Sequence, residues 1–198
     1  ISSTNTLGVS IPVVRAIAKK NKRHHVLALE LWSCGIHEAR ILAGLVDEPK
    51  LVTVKQMNAW ASEFDSWDVC DQVCMNLFDK TPWAYEKAVE WSSAREEFVK
   101  RAGFVLMASL AVHDKKASDE KFTAFLPLIK KHSTDERNFV RKAVNWALRQ
   151  IGKRNVRLNA SAIKTAKEIQ AIESKSAKWI AGDALRELQS EGVNKRFK

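Results

Sequence analysis

The sequence is poor in residues that break helices and in segments that build sheets. Seven glycines and four prolines occur among 198 residues, and clusters of β-branched residues are short. Alanine, leucine, lysine, glutamate and arginine dominate instead, which is typical of helical proteins. The hydrophobic fraction of 45% is enough for one domain with a substantial core. We therefore predict an all-α protein that forms a single domain over residues 1–198, with flexible ends at residues 1–6 and 194–198.

Long apolar runs and paired cysteines are also lacking. No run approaches the roughly 20 residues of a membrane span, and the first residues do not resemble a signal peptide. The three cysteines are Cys34, Cys70 and Cys74, an odd number without paired spacing, which indicates a reducing compartment. Cys70 and Cys74 are expected to act as small apolar core residues. We predict a cytoplasmic protein, associated with the nucleoid if the source is bacterial, without membrane contact.

Several kinds of catalytic site are excluded by what the sequence does not contain. The five histidines are scattered, and none stands in a Ser/His/Asp arrangement. There is no glycine-rich phosphate loop, and no spacing of His, Cys, Asp and Glu that suits a metal ion. We predict neither a metal nor another cofactor, so any catalytic group is expected to be a carboxylate.

Acidic residues are fewer than basic residues. Lys and Arg total 33 against 23 Asp and Glu, which leaves a net charge of +10. Such an excess favours a polyanionic partner, with nucleic acid the first possibility and an anionic membrane the second. The alternative is a basic protein without a specific polyanion.

An internal repeat indicates the architecture. Residues 97–102 (EFVKRA) resemble residues 138–143 (NFVRKA) at an offset of 41, and residues 38–43 (EARILA) form a weaker third copy. Each of the two stronger copies is expected to open a long amphipathic helix. Helix pairs that recur every 40–47 residues or so are typical of HEAT-like α-solenoids, whose stacked pairs form a concave face. In a basic chain, this concave groove would suit a rod of phosphates.

Local signals set several helix limits. Ser10 followed by Pro12 predicts a helix start, since serine favours the N-cap and proline the first turn. Further helices are expected over residues 66–78, from Ser118 through Ile129, and up to Gly152. The last two helices are expected at about residues 160–173 and 176–190.

Tryptophan and carboxylates crowd together in residues 64–71 (FDSWDVCD). Trp67 and Asp71 are four residues apart, so a helix places both side chains on one face, about one turn apart. This pair is unusual for a core and plausible for a site. The alternative interpretation is that Trp67 packs inward and Asp71 caps the helix or is solvated.

A second candidate surface is cationic. Four residues advance by four, three and four positions and therefore share one helix face: Lys142, Trp146, Arg149 and Lys153. Cations around one indole suit a sugar-phosphate backbone, whereas a buried Trp146 with a solvated edge is the alternative. By the repeat alignment Arg101 corresponds to Lys142, which favours Arg101 over Lys100 as a groove residue. The alternative for Arg101 is a surface ion pair with Glu97.

Four segments resemble the AlkD-like DNA alkylation repair glycosylases, a family of HEAT-like proteins. Residues 7–15 are similar to the family start LG(I/V)xxPxxR, and residues 67–71 (WDVCD) to its WDxxD helix. Residues 98–102 (FVKRA) resemble the central (L/V)xRA, and residues 139–149 (FVRKAVNWALR) resemble FIxKAxxWxLR. The segments occur in the family's order, and together they are more specific than any one alone.

The resemblance implies a monofunctional DNA glycosylase that removes N3- and N7-alkylated purines from duplex DNA. It implies that Asp71 is the catalytic carboxylate and that Trp67 and Trp146 line the deoxyribose. It further implies that Arg101 lies in the cleft and that Arg149 contacts the backbone, so Trp67 and Arg101 are predicted to be catalytic residues together with Asp71. The helix spacing adds Lys142 and Lys153 to the predicted DNA-binding residues. The expected partner is double-stranded DNA with alkylated bases, bound by a monomer. A non-catalytic HEAT-like binder of duplex or branched DNA is the first alternative, and a protein-interaction scaffold is the second.

Overall fold

Every regular element in the described part of the chain is a helix, as the composition predicts. The computed structural model describes residues 5–197. These residues divide into two compact units, the first ending at Ala84 and the second beginning at Tyr85. Across the described range, no helix is both long and apolar enough to cross a membrane.

The first unit contains five α-helices joined by short connections. They are α1 (Ile11–Lys20), α2 (His25–Ser33), α3 (His37–Val46), α4 (Val54–Ser62) and α5 (Trp67–Asn76), and a 3-10 helix (Phe78–Lys80) follows them. Helix α3 packs against α1, α2 and α5, so it is the central helix of this unit. Beside it, Trp32 and Trp60 stack with ring centroids 4.1 Å apart, and Phe64 meets Trp32 edge to face.

One carboxylate fixes the segment that precedes α1. The backbone N–H groups of Leu7, Gly8 and Val9 all donate to the side chain of Glu38, over 2.9, 2.7 and 3.2 Å. Gly8 has a φ of +72°, in the left-handed region that glycine enters without steric cost. The Leu-Gly-Val sequence therefore wraps three consecutive donors around a residue of α3. The helix then begins at Ile11 with Pro12 in its first turn, as predicted.

The second unit begins within α6 and contains the longer helices. Its elements are α6 (Ala84–Ser92), α7 (Glu97–His113), α8 (Asp119–Thr123), α9 (Leu126–Lys131), α10 (Asn138–Gly152), α11 (Val156–Gln170), α12 (Lys175–Leu188), α13 (Glu191–Asn194) and a 3-10 helix (Lys195–Phe197). The prediction of one helix from Ser118 through Ile129 is wrong, because α8 and α9 divide that stretch. Pro127 lies in the first turn of α9, where its missing N–H is tolerated, and it could not continue α8.

The 41-residue repeat is confirmed as a structural repeat. Glu97 and Asn138 are the first residues of α7 and α10, and these two helices pack against each other with Phe98 and Phe139 rings 5.3 Å apart. Hydrogen bonds recur at a similar separation along the chain. Three of them join Arg137 to the carbonyl of Arg95, Arg154 to Ala111 and Ser176 to Asp135, at separations of 42, 43 and 41 residues. The weaker third copy lies in α3.

Helix α7 is buried over residues 100–111. Gly103 allows this helix to lie against the end of α6, because a Cβ atom at this position would be 2.4 Å from the backbone nitrogen of Ser92. The two final helices, α11 and α12, pack together, and α12 also packs on α10, which agrees with the predicted final pair. Their limits differ from the prediction by one to four residues.

The predicted flexible ends lie partly outside the described residues. Of the N-terminal segment, Asn5 donates from its side chain to the carbonyl of Gly35, and its own carbonyl accepts from His37. Of the C-terminal segment, residues 195–197 form a 3-10 helix.

Candidate functional site

Helix α5 forms for local reasons that also orient its two faces. Ser66 precedes it in an extended conformation at the N-cap without a capping hydrogen bond from its side chain, and Asp68 adds a negative charge to the first turn. The apolar residues Val69, Cys70 and Val73 are fully buried and fix one side of the helix in the core. The remaining side carries the indole and the carboxylate that the sequence singles out.

Trp67 is exposed and Asp71 is buried, which is the reverse of an indole packed in the core beside a solvated carboxylate. The side chain of Trp67 is 41% exposed, whereas Asp71 is only 9% exposed. The alternative in which the indole packs inward and the acid is solvated is therefore wrong. A buried carboxylate one turn below an exposed aromatic face is costly to maintain unless partners or a ligand offset its desolvation. The pair is therefore a candidate binding or catalytic site.

Neighbouring helices hold α5 at both ends of its first two turns. His37 Nε2 at the start of α3 lies 2.8 Å from Asp68 Oδ2. Arg15 of α1 donates to Oε1 of Gln72, the residue after Asp71, over 3.2 Å. These contacts fix the helix on either side of Asp71, so the carboxylate has a defined position within this unit.

The cysteines on α5 belong to the core. Cys70 and Cys74 are both fully buried, as predicted for small apolar residues, and neither forms a disulfide within the described residues. Burial raises the pKa of the Cys74 thiol, so the nucleophilic thiolate is disfavoured. Among residues 5–197 there is no group of three His, Cys, Asp or Glu side chains that could hold a metal ion.

Arg101 is buried in the interface between α7 and α10. Its side chain is 6% exposed, and Nη1 donates to the carbonyl of Phe139 over 2.6 Å. Lys100, its neighbour, forms an ion pair with Asp135 at 2.9 Å. Although burial acts to raise it, hydrogen bonds from Arg137 and Lys100 hold the pKa of Asp135 well below its usual range. Lys100 is thus committed to a structural pair.

In the predicted stripe on α10, the first two residues are at least partly accessible and the last two form ion pairs with α12. Lys142 is exposed and Trp146 is half-buried. Arg149, in contrast, donates to Glu187 of α12 and lies 3.5 Å from Asp183, while Lys153 Nζ donates to the same Glu187 over 2.6 Å. Burial acts to raise the pKa of Glu187, but Lys153 and Arg149 together hold it below its usual value.

Asp183 and Glu187 are functional candidates that the sequence interpretation missed. They stand four residues apart on α12, as Arg149 and Lys153 do on α10, so the two helices present matching faces. The four-residue spacing of these acids matches that of Arg149 and Lys153, but the match indicates ion pairs only once α12 is known to pack on α10. The structure thus places Trp67 and Asp71 together on α5, and it places the five other predicted residues on the packed helices α7 and α10 and at the C-cap of α10.

Comparisons with known proteins agree with these features. A family model described as "DNA alkylation repair enzyme" matches residues 2–188. No curated protein matches the sequence. Among solved structures, one described as "A new family of proteins related to the HEAT-like repeat DNA glycosylases with affinity for branched DNA structures" is similar, with a TM-score of 0.77 and 23% sequence identity. The similarity covers 93% of this chain and 83% of the other. The fold is therefore that of the HEAT-like repeat proteins.

Proposed function

This chain belongs to the family of DNA alkylation repair enzymes, and from that premise we propose that it is a DNA glycosylase. Its proposed substrates are N3- and N7-alkylated purines in duplex DNA, and the proposed reaction is hydrolysis of the N-glycosidic bond. The observation that carries the proposal is the pair on α5, an exposed Trp67 one turn before a buried Asp71. The family match covers this segment as well as α7 and α10.

The chemistry requires few protein groups. Alkylation at N3 or N7 gives the purine a positive charge, so the base leaves with the electron pair of the C1′–N bond as a neutral molecule. The sugar that remains has oxocarbenium character, and a fixed carboxylate stabilises that charge. Asp71 supplies the negative charge, orients the attacking water and accepts its proton as the new C1′–O bond forms.

The other residues have binding roles in this proposal. The indole of Trp67 packs along the deoxyribose and favours cationic groups through its quadrupole. The indole of Trp146 on α10 contacts the sugar-phosphate backbone. Arg101 and Lys142 contact phosphates, as do Arg149 and Lys153 once they are released from Glu187. Phosphate contacts of this kind position the DNA without reading its sequence.

Base release is the test of this function. Duplex DNA treated with a methylating agent should release 7-methylguanine or 3-methyladenine when it is incubated with the protein. Replacing Asp71 with Asn should lower single-turnover release by about 100-fold or more, because one preorganised charge at the reacting centre contributes that much, while DNA binding is largely retained. Asp65→Asn is the matched control, since Asp65 is an exposed carboxylate that precedes α5, and it should release base at the wild-type rate.

A second candidate is a DNA-binding protein without catalytic activity. The similar solved structure is described as having affinity for branched DNA structures, which favours a four-way junction as the ligand to compare with a duplex. If the wild type binds junction DNA in a salt-dependent manner but releases no alkylated base, this second candidate replaces the first.

A further inference from the structure

The end of α1 and its connection to α2 form the densest run of positive charge in the chain. Residues 19–25 (KKNKRHH) contain four Lys and Arg side chains and two histidines. The four cations are all exposed. The candidate site described above uses none of them, and neither repeat copy explains them.

A cavity opens beside this connection in the first unit. Its volume is about 510 Å³, and its lining includes four cations, Lys22, Arg23, Lys50 and Lys80. We call this cavity, with its four cationic residues, the cationic cavity. The first two come from the α1–α2 connection, the third follows α3, and the fourth ends the 3-10 helix after α5. Residues from three separate parts of the chain thus bring positive charge to one concave surface.

The two acids in the lining offset only part of this charge. Asp47 is 5% exposed, and its oxygens accept from the backbone of Glu48 and from the side chain of Gln56, both over 2.7 Å. Its Oδ1 also lies 2.6 Å from His25 Nδ1. Glu48 is 3.6 Å from Arg23, whose side chain remains 82% exposed. The acids are therefore held by the protein, whereas the cations face solvent.

The backbone at Arg23 is held in an unusual conformation. Arg23 has a φ of +59°, the left-handed region that costs a residue with a Cβ about 1 kcal/mol or more. The next residue, His24, donates its N–H to the carbonyl of Val46 over 2.8 Å, which anchors the turn to α3. Arg23 lines the cavity, so the strained turn contributes one of its four cations.

The cationic cavity lies at the end of the helix that carries Asp71. Asn76, the last residue of α5, lines the cavity, and it follows Asp71 by five residues, or about 7.5 Å along the helix axis. Successive phosphates of one strand advance by about 3.4 Å along the DNA axis. Asn76 also stands about 140° around α5 from Asp71, because the helix turns by about 100° per residue. A strand with one nucleotide at Asp71 must therefore pass around the C-terminal end of α5 to bring a phosphate to the cavity.

We propose that the cationic cavity binds backbone phosphates of DNA that flank the damaged nucleotide. This inference rests on the proposed function, and it adds a binding surface on the first unit that is separate from the α7–α10 residues. Phosphate is the ligand because four exposed cations around a concave surface attract a chain of regularly spaced anions. The adjoining helix, α5, also carries Asp71, the proposed catalytic carboxylate. The surface contributes affinity and register but no base recognition.

The test replaces all four cavity residues with Gln and measures the affinity for duplex DNA over a series of salt concentrations. The slope of log K against log[salt] should become shallower by about 0.9 for each phosphate contact that is lost. The matched control replaces four exposed cations of the second unit, Lys116, Lys164, Lys167 and Lys175, with Gln. Its slope and its rate of base release should remain those of the wild type.

A variant with only two substitutions tests the same surface with less disturbance of the fold. Lys22→Gln with Lys50→Gln leaves the Arg23–Glu48 pair and the hydrogen bond from Lys80 to the Asn76 carbonyl in place. It should keep the wild-type Tm and still reduce the slope by up to about 1.8. If the cavity variants keep the wild-type slope, or lose no more than the control, the inference is wrong.

The outcomes also separate this inference from the proposed function. A wild type that binds and excises alkylated bases, together with cavity variants of unchanged slope, overturns the cavity assignment alone. A wild type that does not bind DNA overturns the proposed function and the assignment with it. Binding of the wild type, but not of the cavity variants, to phosphatidylserine vesicles with an unchanged DNA slope would assign the cavity to lipid headgroups instead.

Discussion

His37 Nε2 lies 2.8 Å from Asp68 Oδ2, and this contact joins the first residue of α3 to the first turn of α5. Both side chains are largely buried, at 6% and 14% exposure. Asp68 stands between Ser66, the N-cap of α5, and Asp71. The contact therefore fixes the end of the helix on which the indole and the carboxylate depend for their position.

Removing the histidine should loosen this end of the helix. We expect His37→Ala to lower the free energy of unfolding by about 1–3 kcal/mol, because it leaves a largely buried carboxylate without a partner. Single-turnover base release should fall by more than the loss of DNA affinity accounts for, since His37 would position Asp71 rather than bind DNA. Thermal unfolding and quenched-flow release measure the two effects.

A conservative variant separates positioning from simple loss of stability. His37→Gln keeps a hydrogen-bond donor on α3 and should recover part of the release rate. Wild-type release by His37→Ala would show that the contact does not position the site.

The carboxylate of Glu38 holds three consecutive backbone N–H groups, and its loss should lower stability more at neutral pH than in acid. Burial acts to raise its pKa, but the donors of Leu7, Gly8 and Val9 hold the pKa of Glu38 below its usual value. The stabilisation from this group is thus present above the pKa of the unfolded chain, about 4.3, and is lost as the pH falls through the lower folded value.

The Glu38→Gln variant should therefore be less stable than the wild type at pH 7, by about 1–3 kcal/mol. The difference should shrink as the pH falls below about 4. Urea unfolding between pH 3 and pH 7 measures it. A constant difference across this range would show that the ionised carboxylate is not what the backbone donors recognise.

Because α7 packs closely on α6, substitution of Gly103 by alanine should affect stability very differently from substitution of Gly182. A Cβ atom at Gly103 would lie 2.4 Å from the nitrogen of Ser92 and 2.8 Å from the carbonyl carbon of Trp91. Gly103→Ala should cost about 1–3 kcal/mol, because backbone must move to accept it. Gly182 on α12 has open space around it, so Gly182→Ala should instead raise stability by up to about 1 kcal/mol through helix propensity. Chemical denaturation of the two variants checks both signs.

The sequence predicts local features well for physical reasons that can be named. The start of α1, the position of α5 and the two repeat copies follow from proline and from helical periodicity, both of which act within a few residues. The division of residues 118–129 into α8 and α9 is also a local effect of Pro127, and it was missed because the apolar spacing continues through the proline.

Tertiary packing explains what the sequence could not decide. The spacing of Trp67 and Asp71 predicts a shared face, but it does not say which of the two is exposed, because that depends on how α5 is set against α3. Likewise, Arg149 and Lys153 have the spacing of a phosphate-binding stripe, yet their carboxylate partner is 38 and 34 residues away on another helix. Contacts at such separations are set by the fold and leave only weak signals in a single sequence.

The pairing of Glu187 with both Arg149 and Lys153 has a consequence for DNA affinity. A phosphate that approaches either cation must compete with this carboxylate, so the stripe on α10 is restrained in the free protein. Replacing Glu187 with Gln removes the charge and keeps the side-chain size. We expect tighter DNA binding and a steeper salt dependence, by about 0.9 in slope for each cation that then reaches a phosphate.

A control with the same change in net charge isolates the local effect. Glu173 is 89% exposed and pairs only with exposed Lys178 among the contacts of the described chain, so Glu173→Gln should alter affinity only through net charge. Fluorescence anisotropy over a salt series gives both slopes. If the two variants have equal slopes, the cations of α10 do not bind phosphates and their role is to join α10 to α12. If Glu187→Gln alone becomes steeper, the acid restrains a DNA-binding stripe, because only a new phosphate contact adds counterion release to the slope.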